Sequence, residues 1–334
     1  MTDLASIIAK RVASAAGIVV GLVVILFVLQ QTSTVSPVHA MLGPGASAAA
    51  VAAESRKLGL DRPLWVQFVT YLGHLAEGNF GISYRTRGPV GPLLMSAFPA
   101  TLELALFALL LAISLALVLG FTSALAVRGS SLVRILMLLA GSTPSFLIAI
   151  AGLVVLYKDL GWVPVGGQAS AAYEGGAGGG MLAVDGLLSG HFALFANVVW
   201  HLLLPGLCVA LGPAVSIGRM LRSSLAAGLG SDWARTARSK GLRERAVVVR
   251  HALRNSLGPT LTMAGLQLAV MLGGVVVVED IFSWPGVGFL MAQSISSSDL
   301  PVITGVTLIL GVTYVVINLL VDIVQVVIDP RQRL

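Results

Sequence analysis

The chain has 334 residues, of which 56% are apolar and 11% charged, and its mean hydropathy is +0.93. Soluble domains carry about a quarter charged residues, so this composition excludes a soluble globular domain and also a disordered chain. The net charge of +6 matters through where the basic residues sit rather than as a surface for nucleic acid, and the lone Cys208 supports neither an internal disulfide nor a Cys/His zinc cluster.

A spanning helix needs about 20 mostly apolar residues. Six segments qualify: residues 12–29, 101–127, 135–156, 195–217, 260–278 and 302–328. They predict an all-α polytopic membrane protein with six transmembrane helices. It is read as one transmembrane domain over 1–334, with a first helix at 12–29, an outer segment at 30–100, and core helices over 101–328 that carry an inner loop at 219–258. The first segment has the basic start (Lys10, Arg11) and the small-residue site (Val38, His39, Ala40) of a secretory signal. Its apolar run is longer than a usual signal core and the site lies well past its end, so it is read as a retained helix.

In the outer segment, residues 47–58 predict a helix with Ser47 as N-cap. Residues 64–75 predict an amphipathic one, and 78–81 and 86–89 punctuate the chain. The second outer segment, 157–194, holds Gly175, Gly176, Gly178, Gly179 and Gly180. It follows no strand and opens no helix, so it reads as a flexible loop rather than a phosphate cradle. Pro99, Pro144, Pro205, Pro213 and Pro259 fall at or inside spans. Membrane helices tolerate proline where neighbours re-satisfy the freed carbonyl; Pro144 predicts a kink in the third span, Pro205 and Pro213 in the fourth.

Placing the N-terminus inside puts 15 of the 21 basic residues on the inner side. Nine of them lie between Arg219 and Arg254, and both termini become cytoplasmic. Ionisable groups within the spans are few. Glu103 is expected to pair structurally, Asp322 to pair with an inner-loop arginine, and His201 to pack. That scarcity argues against a carrier driven by its own protonatable groups. The four lysines precede Arg11, Leu58, Asp159 and Gly241. None precedes Ser or Thr, so the chain has no nucleotide-binding loop.

The inner segment 219–257 holds nine basic residues against Asp232 and Glu244. Ser231 or Asp232 can cap a helix, residues 233–240 form it, Gly241 ends it in the left-handed conformation, and a second helix starts near Arg243. This predicts a rigid helix–glycine–helix knob; the simpler reading is a basic loop against anionic lipid.

The order of residues there, DWARTARSKGLRERAVVVRHALRNSLGP, resembles the cytoplasmic loop of ABC-importer permeases, in its dipeptide/oligopeptide/nickel permease version. Aligned on Gly241, the general Glu-Ala-Ala pattern falls on Arg235, Thr236 and Ala237, and its Ile and Leu-Pro on His251, Leu253 and Arg254. Ala237, Gly241 and Leu253 match the general pattern. The strings Leu58 to Ala105, VEDIFSWPGVGFL (Val278 to Leu290) and NLLVDIVQVVIDPR (Asn318 to Arg331) resemble the same family. Residues 35–45 depart from it, lacking the usual Pro-Gly-Asp-Pro.

The resemblance implies an ABC importer type I permease-like fold and a transport subunit for di- or oligopeptides, without catalytic residues, metal or cofactor of its own. ATP and Mg would be bound by two partner ATP-binding subunits. A homologous second permease and an extracytoplasmic solute-binding protein would complete the assembly, in a bacterial inner membrane, with lipid around it and a peptide as substrate. The ATPase-docking residues it implies are Asp232, Arg235, Thr236, Ala237, Arg238, Lys240, Gly241 and Leu242. On the outer, binding-protein side it implies a gate at Glu279, Phe282, Trp284, Pro285 and Gly286, where Glu279 and Asp280 also read as plain interfacial carboxylates and Trp284 as an interfacial aromatic, although the Trp-Pro-Gly turn argues for a shaped element. A secondary carrier or channel, a non-transporting scaffold, and an importer of the same family for nickel or another non-peptide solute remain alternatives.

Overall fold

The computed structural model describes residues 4–32, 37–43, 45–124, 130–176 and 180–328. Gly178, Gly179, Arg128 and the end of the C-terminal string at 329–331 lie outside the described residues. In chain order the helices are α1 (Leu4–Thr32), α2 (Pro37–Leu42), α3 (Ala48–Lys57), α4 (Leu64–Ala76), α5 (Val90–Ala124), α6 (Ser130–Ser142) and α7 (Ser145–Gly152). They continue with α8 (Leu182–Leu188), α9 (Phe192–Leu229), α10 (Asp232–Ser239), α11 (Glu244–Ala246), α12 (Leu253–Ile281), α13 (Val287–Ser296) and α14 (Leu300–Ile328). Among the described residues there is no strand, only a bridge between Ile82 and Pro89. The all-α polytopic class is as expected.

Five helices are long and apolar enough to cross a bilayer: Ile8–Thr32, Val90–Thr122, Phe192–Leu229, Glu244–Ile281 and Leu300–Gln325. The third expected span, 135–156, is not one helix. Pro144 takes an extended ψ of 138° and starts α7 afresh, because proline cannot donate into the preceding turn and its ring excludes a helical residue before it. After α7 the backbone widens into a π-type turn, Leu153–Asp159.

The fourth and fifth spans are longer than their apolar cores. The fourth is a 38-residue helix that carries Arg219 and Arg222 on to Leu229. The fifth is a 38-residue rod from Glu244 to Ile281, running through α11, a π-type turn (Val247–Ala252) and α12. At 1.5 Å per residue each is about 57 Å long. Most of the predicted inner loop 219–258 is therefore the two rod ends, and only residues 230–243 join them.

The core lies between α5 and α9, which run parallel. Ala100, Leu104, Ala108, Ala112 and Ala116 recur every fourth residue on α5 and are buried. Opposite them, a Cβ on Gly218 would lie 2.9 Å from Leu119. Small residues facing each other let two membrane helices approach closely, which is the main source of packing where lipid is as apolar as the side chains. Pro205 and Pro213 lie inside α9 without ending it.

α1 and α14 run antiparallel. Gln30 Nε2 donates to Thr304 Oγ1 (3.0 Å) near one end, and Arg11 sits 2.9 Å from Asp322 near the other. Asp322 thus pairs with the first helix rather than with an inner-loop arginine. The start of α1, the end of α14 and the knob at α10 all lie at one end of the molecule.

At the opposite end, α3 begins as expected, with Ser47 Oγ accepting from Ala50 N (3.2 Å). α4 lays Phe68, Tyr71 and Leu75 against Val23, Leu26 and Leu308, and Phe27 meets Phe68 edge-on with centroids 5.2 Å apart.

Candidate functional site

Two constructions stand at opposite ends of the molecule: the knob around α10, and a set of carboxylates that anchor the segments around α8 and α13.

α10 is short and amphipathic. Ala234 and Ala237 are buried, against Val247, Leu229 and Trp233. Asp232, Arg235, Thr236, Arg238, Ser239 and Lys240 lie on the exposed face. Its C-terminus is closed by a pair of hydrogen bonds, Gly241 N to Arg238 O (2.9 Å) and Leu242 N to Ala237 O (3.3 Å). This is a Schellman turn, with Gly241 at φ +80° as predicted.

The N-terminus differs from expectation. Ser231 has the extended N-cap conformation but makes no side-chain cap; its hydroxyl donates to Gly228 O instead. Asp232 sits in the first turn, where a negative charge suits the helix dipole, 3.5 Å from Arg235.

Arg238 is tied down within the chain. It grips Glu244 through two hydrogen bonds (3.0 and 2.8 Å) and donates to Leu229 O (3.1 Å), so one side chain clamps α10 to the end of α9 and the start of α11. Its donation to Glu244 makes Arg238 hold its proton more firmly than usual.

Between α10 and the start of the fifth rod lies a cleft of about 850 Å³ lined by Trp233, Thr236, Lys240, Arg250, His251 and Arg254, among others. The two halves of the resembling motif, 235–241 and 251–254, therefore close on one basic surface. The Trp233 ring lies 6.2 Å from that of His251. Trp233 and Arg250 were not singled out from sequence; an aromatic one residue into a capped basic helix was the available signal.

At the other end, Glu279 is fully buried. One carboxylate oxygen accepts from Gly288 N (2.6 Å) and Phe289 N (3.2 Å), capping α13 from another helix. Gly286 must be glycine, since a Cβ there would overlap this carboxylate. Trp284 is also fully buried; its indole donates to Ala100 O (2.9 Å), and Val287 N donates to Thr101 Oγ1 (2.8 Å).

This corrects the interfacial readings of the stretch. Glu279, Phe282, Trp284 and Gly286 present no side chain to solvent, Glu279 is not an interfacial carboxylate, and Trp284 is not an interfacial aromatic. Of the expected gate residues only Pro285 is partly exposed, while Asp280 is exposed.

The same device recurs twice. Glu103 on α5 is buried and accepts from Ala183 N (2.6 Å) at the start of α8 and from Gln168 Nε2 (2.8 Å). Asp299, before α14, accepts from Ser83 Oγ, Tyr84 N (3.0 Å) and Arg85 N (3.2 Å), which pins the outer segment to the α13–α14 corner. Burial, and then the Asp299 charge, push the Tyr84 phenol up to about 12. Each carboxylate accepts from at least one backbone N–H and none is paired with a cation among the described residues, which offsets part of the desolvation cost of burying it. His201 is buried, with Nδ1 2.8 Å from Asn197 O, a packing role as expected.

The chain matches two families. Residues 112–334 match "Binding-protein-dependent transport system inner membrane component", and residues 4–105 match its N-terminal companion. Among relatives, it is 38% identical over 332 residues to the di/tripeptide transport system permease protein DppB of Pseudomonas aeruginosa, covering 98% of each chain. It is 33% identical over 337 residues to the oligopeptide permease protein AppB of Bacillus subtilis, covering 98% of this chain and 99% of that one. It is 33% identical over 313 residues to the glutathione permease protein GsiC of Salmonella typhi, covering 93% of each. With its apolar rods and these matches along its length, this chain belongs to the family of multi-pass inner membrane components of binding-protein-dependent transport systems.

Proposed function

We propose that the chain is one of two related permease subunits of an ABC importer for short peptides. The α10 end faces the cytoplasm and docks an ATP-binding subunit through Asp232, Arg235, Thr236, Lys240 and Leu242, with Ala237, Arg238 and Gly241 shaping the surface. Two ATPase subunits supply ATP and Mg, and an extracytoplasmic binding protein delivers the peptide to the opposite end. The peptide class rests on the relatives' names. A phosphate-binding loop is absent from the sequence, so hydrolysis belongs to the partners.

The observation that carries the coupling role is the clamp on α10. A helix closed by a Schellman turn and held by Arg238 to both rods cannot tilt alone, so a pull on it moves α9 and α12 together. Motion of that kind suits rigid-body alternation of a transporter, and its energy must come from docking that differs between the two states.

The test is uptake of a labelled dipeptide into proteoliposomes that hold the whole transporter, with ATP inside. Gly241→Asp places a side chain at a left-handed φ and a carboxylate on a basic surface. It is expected to abolish uptake while the chain still inserts and co-purifies with the second permease. Wild-type uptake by Gly241→Asp would sink the coupling role, and ATP-independent uptake by the wild type would favour a secondary carrier.

A further inference from the structure

At membrane depth, a second cavity of about 310 Å³ opens between the α6–α7 break, the middle of α9 and the middle of α12. Its polar lining is Thr143, Ser145, Ser216, Arg219 and Gln267. Along α9 it runs from Cys208 to Arg219, about 16 Å at 1.5 Å per residue, which is the length of four to five extended residues.

Three features make this a place for a polar, extended solute. First, acceptors dominate the wall. Thr143 Oγ1 and Ser216 Oγ donate to the carbonyls of Leu139 and Gly212, which leaves their lone pairs for the cavity. Pro213 has no N–H to give the Val209 carbonyl, and Val209 lines the cavity. Second, donors and acceptors are left unspent. The Ser145 hydroxyl makes no hydrogen bond among the described residues, and the Gln267 side chain reaches only the Met263 sulfur at 3.8 Å. Third, Arg219 stands at the end of the slot nearer α10, exposed, with no acidic partner among the described residues. Polar groups lining a cavity between apolar spans are costly and mark solute paths, and Arg219, on the first basic turn past the apolar run of the fourth span, offers at the inner mouth of the slot a lone guanidinium that matches a carboxylate.

We propose that this slot is the chain's half of the peptide path, and that Arg219 binds the α-carboxylate of a short extended peptide entering carboxylate first. The hydroxyl and amide groups above it meet the peptide N–H and C=O groups. The inference rests on the peptide-importer reading and names a site within it.

The test uses the complete transporter in proteoliposomes and a labelled dipeptide. Arg219→Gln is expected to lower ATP-driven uptake about tenfold or more, the scale of one lost hydrogen bond to a charged group, with ATP hydrolysis retained. Arg219→Lys is expected to retain most uptake. Arg219→Cys is then treated with a cationic (trimethylammonium) or an anionic (sulfonate) methanethiosulfonate, and each effect is read relative to the same reagent on the wild type. The cationic reagent restores uptake and the anionic one does not. During turnover, excess unlabelled dipeptide slows the modification several-fold.

Wild-type uptake by Arg219→Gln, equal rescue by both reagents, or absence of protection by the peptide overturns the site. A wild-type transporter that moves no dipeptide with ATP overturns the functional reading instead, and is seen before any variant is made.

Discussion

Glu279 shows how much one side chain can organise in a membrane protein. It sits near the end of the fifth rod and satisfies two backbone N–H groups at the start of α13, which have no intrahelical partner by virtue of their position. Glu279→Ala leaves those donors buried and opens a gap beside Gly286. Each unsatisfied donor costs about 1–3 kcal/mol. The expected outcome is a clear fall in the thermal unfolding midpoint of the purified protein and faster proteolysis within residues 282–300. A midpoint equal to wild type would mean that α13 is held by its apolar contacts alone.

None of this was legible in the sequence, where Glu279 read as an interfacial carboxylate or a gate. Its cap lies close in sequence, but the corner that encloses it is fastened to α5, far away along the chain, where Trp284 and Val287 bond to Ala100 and Thr101. Gly241 was legible because its role is local: a turn that needs a positive φ announces itself through glycine after a capped helix.

Among the elements, the knob and the two rods illustrate what hydropathy reports. An apolar run marks where the solvent is lipid, not where the helix stops. The fourth and fifth spans were therefore placed at 195–217 and 260–278, while their helices continue past both runs as amphipathic and basic turns. Pro144 was read correctly as a disturbance of the third span but not as a restart, since a proline inside a membrane helix can also be absorbed, as Pro205 and Pro213 are in α9.

Arg238 holds the knob to these rods through Glu244 and the Leu229 carbonyl. Arg238→Ala frees α10 to move without its rods, so uptake is expected to fall more than ATP hydrolysis, and their ratio measures the loss. Glu244→Arg alone gives a like-charge contact and the same defect, while Arg238→Glu combined with Glu244→Arg restores the pair and part of the ratio. Equal losses in the double and single variants would show that the ion pair is not what clamps the knob.

For the whole molecule, the arrangement joins the two ends by a single continuous body. The fifth rod starts beside the α10 clamp and ends at Glu279, which caps α13, with Trp284 just beyond it bonded to α5. A helix of about 57 Å has two points of give, the π-type turn at Val247–Ala252 and Pro259 inside α12. Both lie at the α10 end, and the remainder packs along α9 and α14. If the rod transmits motion, α10 and α13 keep their separation while the transporter cycles. If the π-type turn is a hinge, they do not.

Spin labels at Ser239 and Ser296, both exposed, read this directly. The distance distribution between them is expected to be the same in the resting transporter and in one trapped with a non-hydrolysable ATP analogue. A shifted or newly bimodal distribution would show give between the labels, in the turn at 240–243, at Val247–Ala252, at Pro259 or in the corner at 282–286, and moving the first label to Arg245 removes the 240–243 turn from the measured path. Motion at the α10 end would then be absorbed before it reached α13, and the opening of the far end would have to be driven through α9 and α5 instead.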